Sequence, residues 1–165
     1  MNVIFSDTTD IPDIPANGIF LAGPTHRTDK YNKSWRKDAI AIFEKLGYNG
    51  IIYVPEYETD SPFIESKENI HRQTDWEWAS LDKASVIMFW IPRKLPEMPG
   101  FTTNIEFGMF MSSAPEKVIL GFPETAEKMR YLDYLYEQIG KRKSVHTLEE
   151  TIAESLRLWN ERNTK

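Results

Sequence analysis

Four carboxylates in this chain, Glu56, Asp75, Glu77 and Glu106, fall close to the ends of apolar runs, where a side chain can be held at the rim of a core and still meet a ligand. A carboxylate fixed in such a place can stabilise positive charge developing at the anomeric carbon of a sugar, or capture that carbon covalently. A second can orient the first or bind sugar hydroxyls. Glu106 is the best placed, because it lies in Pro99-Gly-Phe-Thr-Thr-Asn-Ile-Glu-Phe-Gly108, shortly after the most apolar run of the chain, Val86 to Ile91. A purely local role fits as well. Thr103-Asn-Ile-Glu106 and Thr74-Asp-Trp-Glu77 both have the spacing of a capping box, in which the acid closes the first turn of a helix. The pattern leaves both roles open for each glutamate.

Other residues could bind rather than react. Gly23-Pro24-Thr25-His26-Arg27 combines a chain reversal with a hydroxyl and a guanidinium, suited to a phosphate or sugar oxygen, although most such turns are only turns. Phe89-Trp90-Ile91-Pro92-Arg93 carries an indole and an arginine out of the apolar run, and Phe101 and Asn104 open the segment that holds Glu106.

Alternating elements must position these groups. Gly18–Ala22, Gly50–Val54, Ser85–Ile91 and Lys117–Gly121 read as buried strands, and a weak fifth is expected around Ser144–His146. Apolar residues at helical spacing predict helices over Asn32–Leu46, Glu68–Lys83, Thr103–Ser113, Glu124–Gln138 and Leu148–Asn160. The expected architecture is α/β, a flavodoxin-like doubly wound parallel sheet of about five strands in a single domain over residues 18–165. Residues 1–17 are expected either to add an edge strand or to stay loose. In such folds ligands sit beyond the carboxyl ends of the strands at the topological switch point, which selects the loops beginning at Gly23, Pro55 and Pro92.

Composition removes several classes. The chain has no cysteine, which excludes disulfides, thiolate catalysis and Cys-based metal sites, and its three histidines lie far apart, without zinc spacing. A formal charge of −5 argues against a nucleic-acid surface. Residues 1–17 have neither a basic start nor an apolar run long enough for a signal peptide or membrane span, so a cytoplasmic protein without a membrane partner is expected. The glycine fingerprints of dinucleotide binding and the P-loop are missing, as is the G-x-S-x-G of α/β-hydrolases.

Taken in order, Ile19–Thr25, Ser34-Trp-Arg36, Val54-Pro-Glu56, Asp75-Trp-Glu77, Ser85–Arg93 and Pro99–Gly108 resemble the nucleoside 2-deoxyribosyltransferase-like family, over roughly Ile19 to Leu132. The resemblance implies a retaining double displacement in which Glu106 attacks the anomeric carbon of a 2'-deoxynucleoside, the base leaves, and another base or water takes the sugar. It places Glu77 where many relatives hold an aspartate supporting the nucleophile, with Asp75 as rival. It also implies Gly23, Pro24, Thr25, Arg27, Glu56, Trp90, Arg93, Phe101 and Asn104 as candidates around the substrate, no metal or organic cofactor, and a homo-oligomer to which Trp159 and Tyr131–Tyr136 would contribute. One departure stands out. Several of these transferases carry an acid in the loop before the nucleophile to protonate the base, and Gly100 occupies that place here. Two further readings follow: a hydrolase acting on deoxynucleosides or their 5'-monophosphates, and a nucleoside- or nucleotide-binding module in which the glutamates only cap helices.

Overall fold

The computed structural model describes residues 1–26, 34–58 and 66–163. Five strands, β1 (Asn2–Phe5), β2 (Ile19–Ala22), β3 (Ile51–Val54), β4 (Val86–Trp90) and β5 (Val118–Gly121), form one sheet in the order β1-β3-β2-β4-β5, and every pairing is parallel. Five helices flank it: α1 (Trp35–Lys45), α2 (Lys67–Lys83), α3 (Phe101–Ser113), α4 (Arg130–Gly140) and α5 (Leu148–Asn163). This is the flavodoxin-like, doubly wound arrangement expected from the alternation of apolar runs.

The strands are apolar on both faces because both are covered. Phe20 and Ala22 of β2 and Ile87 and Phe89 of β4 point to the layer containing Trp76, Phe107 and Leu132. Their neighbours Ile19, Leu21, Val86, Met88 and Trp90 meet Trp35, Phe43 and Ile152. Helices α2, α3 and α4 therefore cover one face, and α1 and α5 the other. Each fully buried aromatic or aliphatic side chain in these layers contributes about 1.5–3 kcal/mol relative to exposure.

Local signals set the helix starts. Ser34 accepts the Arg36 N–H at the head of α1, and Ser66 accepts the Asn69 N–H at the head of α2. Gly47, at φ 73°, ends the turn after α1.

The fifth strand is not the one expected. Asn2–Phe5 pairs along Ile51–Val54 as the outer edge, whereas Val145 makes only an isolated parallel bridge to Gly121. The segment around Val145 cannot extend its ladder, since Thr147 immediately caps α5 by accepting the Glu150 N–H. The helix expected from Glu124 begins at Arg130, because Ala126 N–H closes a turn on the Pro123 carbonyl and Lys128 adopts φ 58°.

Candidate active site

Beyond the carboxyl ends of β2 and β3, on the side where β2 and β4 send their chains to opposite faces, lies a cavity of about 280 Å³. This is the small end of the ~300–1,000 Å³ typical of ligand sites. Gly23, Pro24 and Thr25 line it from the loop after β2, Pro55 from the end of β3, Arg36 from α1, Glu77 from α2, and Pro99–Thr103 with Glu106 from the start of α3.

Close approach of backbone shapes this wall. Gly23 sits at φ 151°, and a Cβ there would stand 2.1 Å from the Trp90 carbonyl oxygen, so no larger residue fits. Gly100 takes φ 64° and opens α3 in the left-handed conformation without a side-chain cap.

The helix boundaries decide the role of the two glutamates. With Gly100 as the N-cap of α3, Thr103 and Glu106 fall inside the helix, one turn apart, and both are buried against the cavity. Glu77 lies in the middle of α2, far from the Ser66 cap. Neither acid closes a capping box, which corrects the local reading of both sequence patterns.

Glu77 and Glu106 hydrogen-bond each other through their carboxyl groups. Burial above all, with the charge of Glu77 and their shared hydrogen bond, pushes the Glu106 carboxyl up to about 8 against the opposing charge of Arg36. Burial likewise raises Glu77, against the Gln73 hydrogen bond, the Arg36 charge and its bond to Glu106. Burial thus makes both acids hold their protons to higher pH than ordinary carboxyls do.

Arg36 is the functional candidate that sequence reasoning passed over. Its guanidinium is 2% exposed and almost fully occupied: Nε donates to the Leu21 carbonyl at 3.0 Å, Nη2 to the Gly23 carbonyl at 2.7 Å, and Nη1 to Thr25 Oγ1 at 3.2 Å and to Glu56 Oε1 at 2.7 Å. Ser34 Oγ donates to the other Glu56 oxygen at 2.7 Å. This network ties α1, the end of β2 and the residue after β3 into one piece, and sets a cation beside the acid pair. The signal was present: Arg36 lies a turn before Ala39 and Ile40 and two turns before Phe43, a charge on the inward edge of an amphipathic helix.

The remaining candidates divide. Gly23, Pro24, Thr25, Phe101, Glu77 and Glu106 line the cavity. Glu56 reaches it through Arg36 and through Thr25, whose Oγ1 donates to Glu56 Oε1 at 3.5 Å. Asp75 is exposed and away from the cavity, because two residues along a helix point to nearly opposite sides. Trp90 is buried among the side chains packed against α1 and α5. Arg93 and Asn104 hydrogen-bond each other, and Arg93 Nη1 also donates to the Lys128 carbonyl at 3.2 Å, which pins the first turn of α3 to the segment before α4. Arg27 lies outside the described residues. Among the described residues no group of three His, Asp or Glu side chains is placed to hold a metal ion, and no helix is long and apolar enough to cross a membrane.

An acid pair beside the Arg36 cation, in an open cavity at the switch point, can deliver a carboxylate to an electrophilic carbon and a proton to a departing group. Comparison with curated proteins finds no match to the chain. The family model for nucleoside 2-deoxyribosyltransferase-like proteins matches residues 16–125, more than half of the chain, and spans every element that lines the cavity. This chain belongs to the nucleoside 2-deoxyribosyltransferase-like family.

Proposed function

We propose that this protein is an N-deoxyribosyltransferase that cleaves the N-glycosidic bond of 2'-deoxynucleosides through a covalent sugar on Glu106. The observation that carries this reading is the hydrogen-bonded Glu77–Glu106 pair in a cavity that also holds Arg36. Inverting glycosidases keep their two carboxyls ~6.5–9.5 Å apart to leave room for water between them. Carboxyls close enough to share a hydrogen bond leave no such room, which favours attack by the glutamate itself.

The chemistry balances with the groups present. A Glu106 carboxylate oxygen bonds to the anomeric carbon as the bond to the base nitrogen breaks, and the pair's proton passes through Glu77 to the leaving base. No other acid lines the cavity among the described residues, which makes the pair the proton source where Gly100 offers no side chain. A second base then attacks the glycosyl ester, returns its proton to the pair and releases Glu106. The singly protonated pair is the active form, so the rate is expected to fall in acid, as Glu77 also takes a proton, and in alkali above about 8, as the last proton leaves. The protein works in the cytoplasm on free nucleosides, as a homo-oligomer that uses the exposed face of α3.

Incubation with a deoxynucleoside and a different free base, followed by chromatography, tests this. A new nucleoside is expected from the native chain, and Glu106→Ala should lower kcat by about a thousandfold or more. Free base released at an unchanged rate without acceptor would instead make it a hydrolase. A lack of turnover across a broad substrate panel would remove both readings.

A further inference from the structure

Gln73 stands one helical turn before Glu77 on α2, and its amide is used in one direction only. Nε2 donates to Glu77 Oε1 at 2.7 Å and to the Pro55 carbonyl at 3.4 Å, while Oε1 is buried without a partner among the described residues. Turning the amide over would bring its oxygen against two acceptors, the Glu77 carboxylate and the Pro55 carbonyl, so the amino group must face them. A buried, unsatisfied amide oxygen is a standing cost, and helix formation alone gives no reason to accept it. Of the two acceptors that the orientation serves, Glu77 is much the nearer, at 2.7 Å against 3.4 Å for the Pro55 carbonyl.

We propose that Gln73 is a positioning residue that acts through Glu77: by occupying Oε1 it confines the pair's proton to Oε2 and Glu106, the side from which it can reach a leaving base. The proposal stands on the contact geometry and deepens the proposed function. Three groups bear on Glu77 from the elements around it: Gln73 on its own helix, Glu106 from α3 and Arg36 from α1. Of these, Gln73 is the donor whose own hydrogen does not titrate, and its hydrogen bond favours the ionised form. Losing it therefore makes Glu77 take up its own proton at higher pH.

Two variants separate this from a merely structural role. Gln73→Met keeps the volume and removes the donor; Gln73→Asn keeps an amide that falls one methylene short. Carbon-13 NMR of the glutamate carboxyls, followed across pH, reads the pair without requiring any turnover. Both variants are expected to raise the acid-side midpoint of Glu77 by about one pH unit, the size of one hydrogen bond to a charged group. An unchanged midpoint in both overturns the proposal, even if the enzyme is active. In the transfer assay the acid limb of kcat should move by the same amount with KM unaltered, because Gln73 does not line the cavity. A drop in activity that is uniform across pH would also overturn it. Shifted midpoints in a protein that turns over no nucleoside would keep the role of Gln73 and reject the transferase.

Discussion

The proton on Glu106 links stability to pH. Its carboxyl ionises only near 8 in the folded chain, against an ordinary 4.5, so folding takes up a proton that the unfolded chain releases earlier. This contribution is complete below about 4.5 and disappears as pH rises towards 8. Glu106→Gln cannot ionise, and it should be more stable than the native chain at about pH 8 by roughly 1–3 kcal/mol, with the gap closing near pH 4. Thermal melts at the two pH values measure it. A helix cap would behave oppositely, losing about 0.5–2 kcal/mol on substitution.

At the scale of elements, the Arg36–Glu56 pair joins the head of α1 to the chain leaving β3 and to the loop after β2. Removing one member strands the other in a low-dielectric setting, which typically costs about 3–5 kcal/mol. Glu56→Ala is therefore expected to lower unfolding free energy in urea by that order. The cavity wall formed by Gly23–Thr25 should loosen with it. A variant as stable as the native chain would mean that Glu56 serves substrate rather than structure. Asn104 and Arg93 hold the other wall in the same manner, fixing the turn from which α3 presents Glu106.

The molecule as a whole is lopsided in its apolar surface. Of the eleven large hydrophobic side chains exposed among the described residues, eight lie on α2, α3 and α4, and the α1/α5 side is left with only Leu46 at the end of α1. Phe101, Ile105 and Met109 form an uncharged stripe along α3 at 68%, 64% and 53% exposure, starting at the rim of the cavity. Helices apolar on every side are normally buried. A two-fold axis would set this stripe against its own copy with no like charges opposed, towards the ~800 Å² per partner of an ordinary interface. Ile105→Lys should shift the protein towards monomer in light scattering at micromolar concentration. An unchanged mass would place the interface elsewhere. Trp159 donates to the Asn17 carbonyl at 2.7 Å and packs edge-on against Tyr48.

The amino-acid order alone determined the strands and helices that build the site. Short runs apolar on both faces, such as Val86–Trp90, have few alternatives to a central parallel strand, and Ser34, Ser66 and Gly47 mark helix ends through local hydrogen bonds and backbone sterics. Glu106 was legible because it follows such a strand. Its competing role as a cap was removed only by where α3 begins, at Gly100 rather than Thr103, with Gly100 in the left-handed conformation at φ 64°. The choice of Glu77 over Asp75 depended on the rotation of α2 about its axis, which is set by Trp76 and Leu81 entering the core. Arg36 and Glu56 are separated by twenty residues and meet only because the fold brings the head of α1 to the loop after β3. Contacts that far apart in sequence leave no periodic trace, so the acid pair and its cation existed as a site only once the sheet had closed around them.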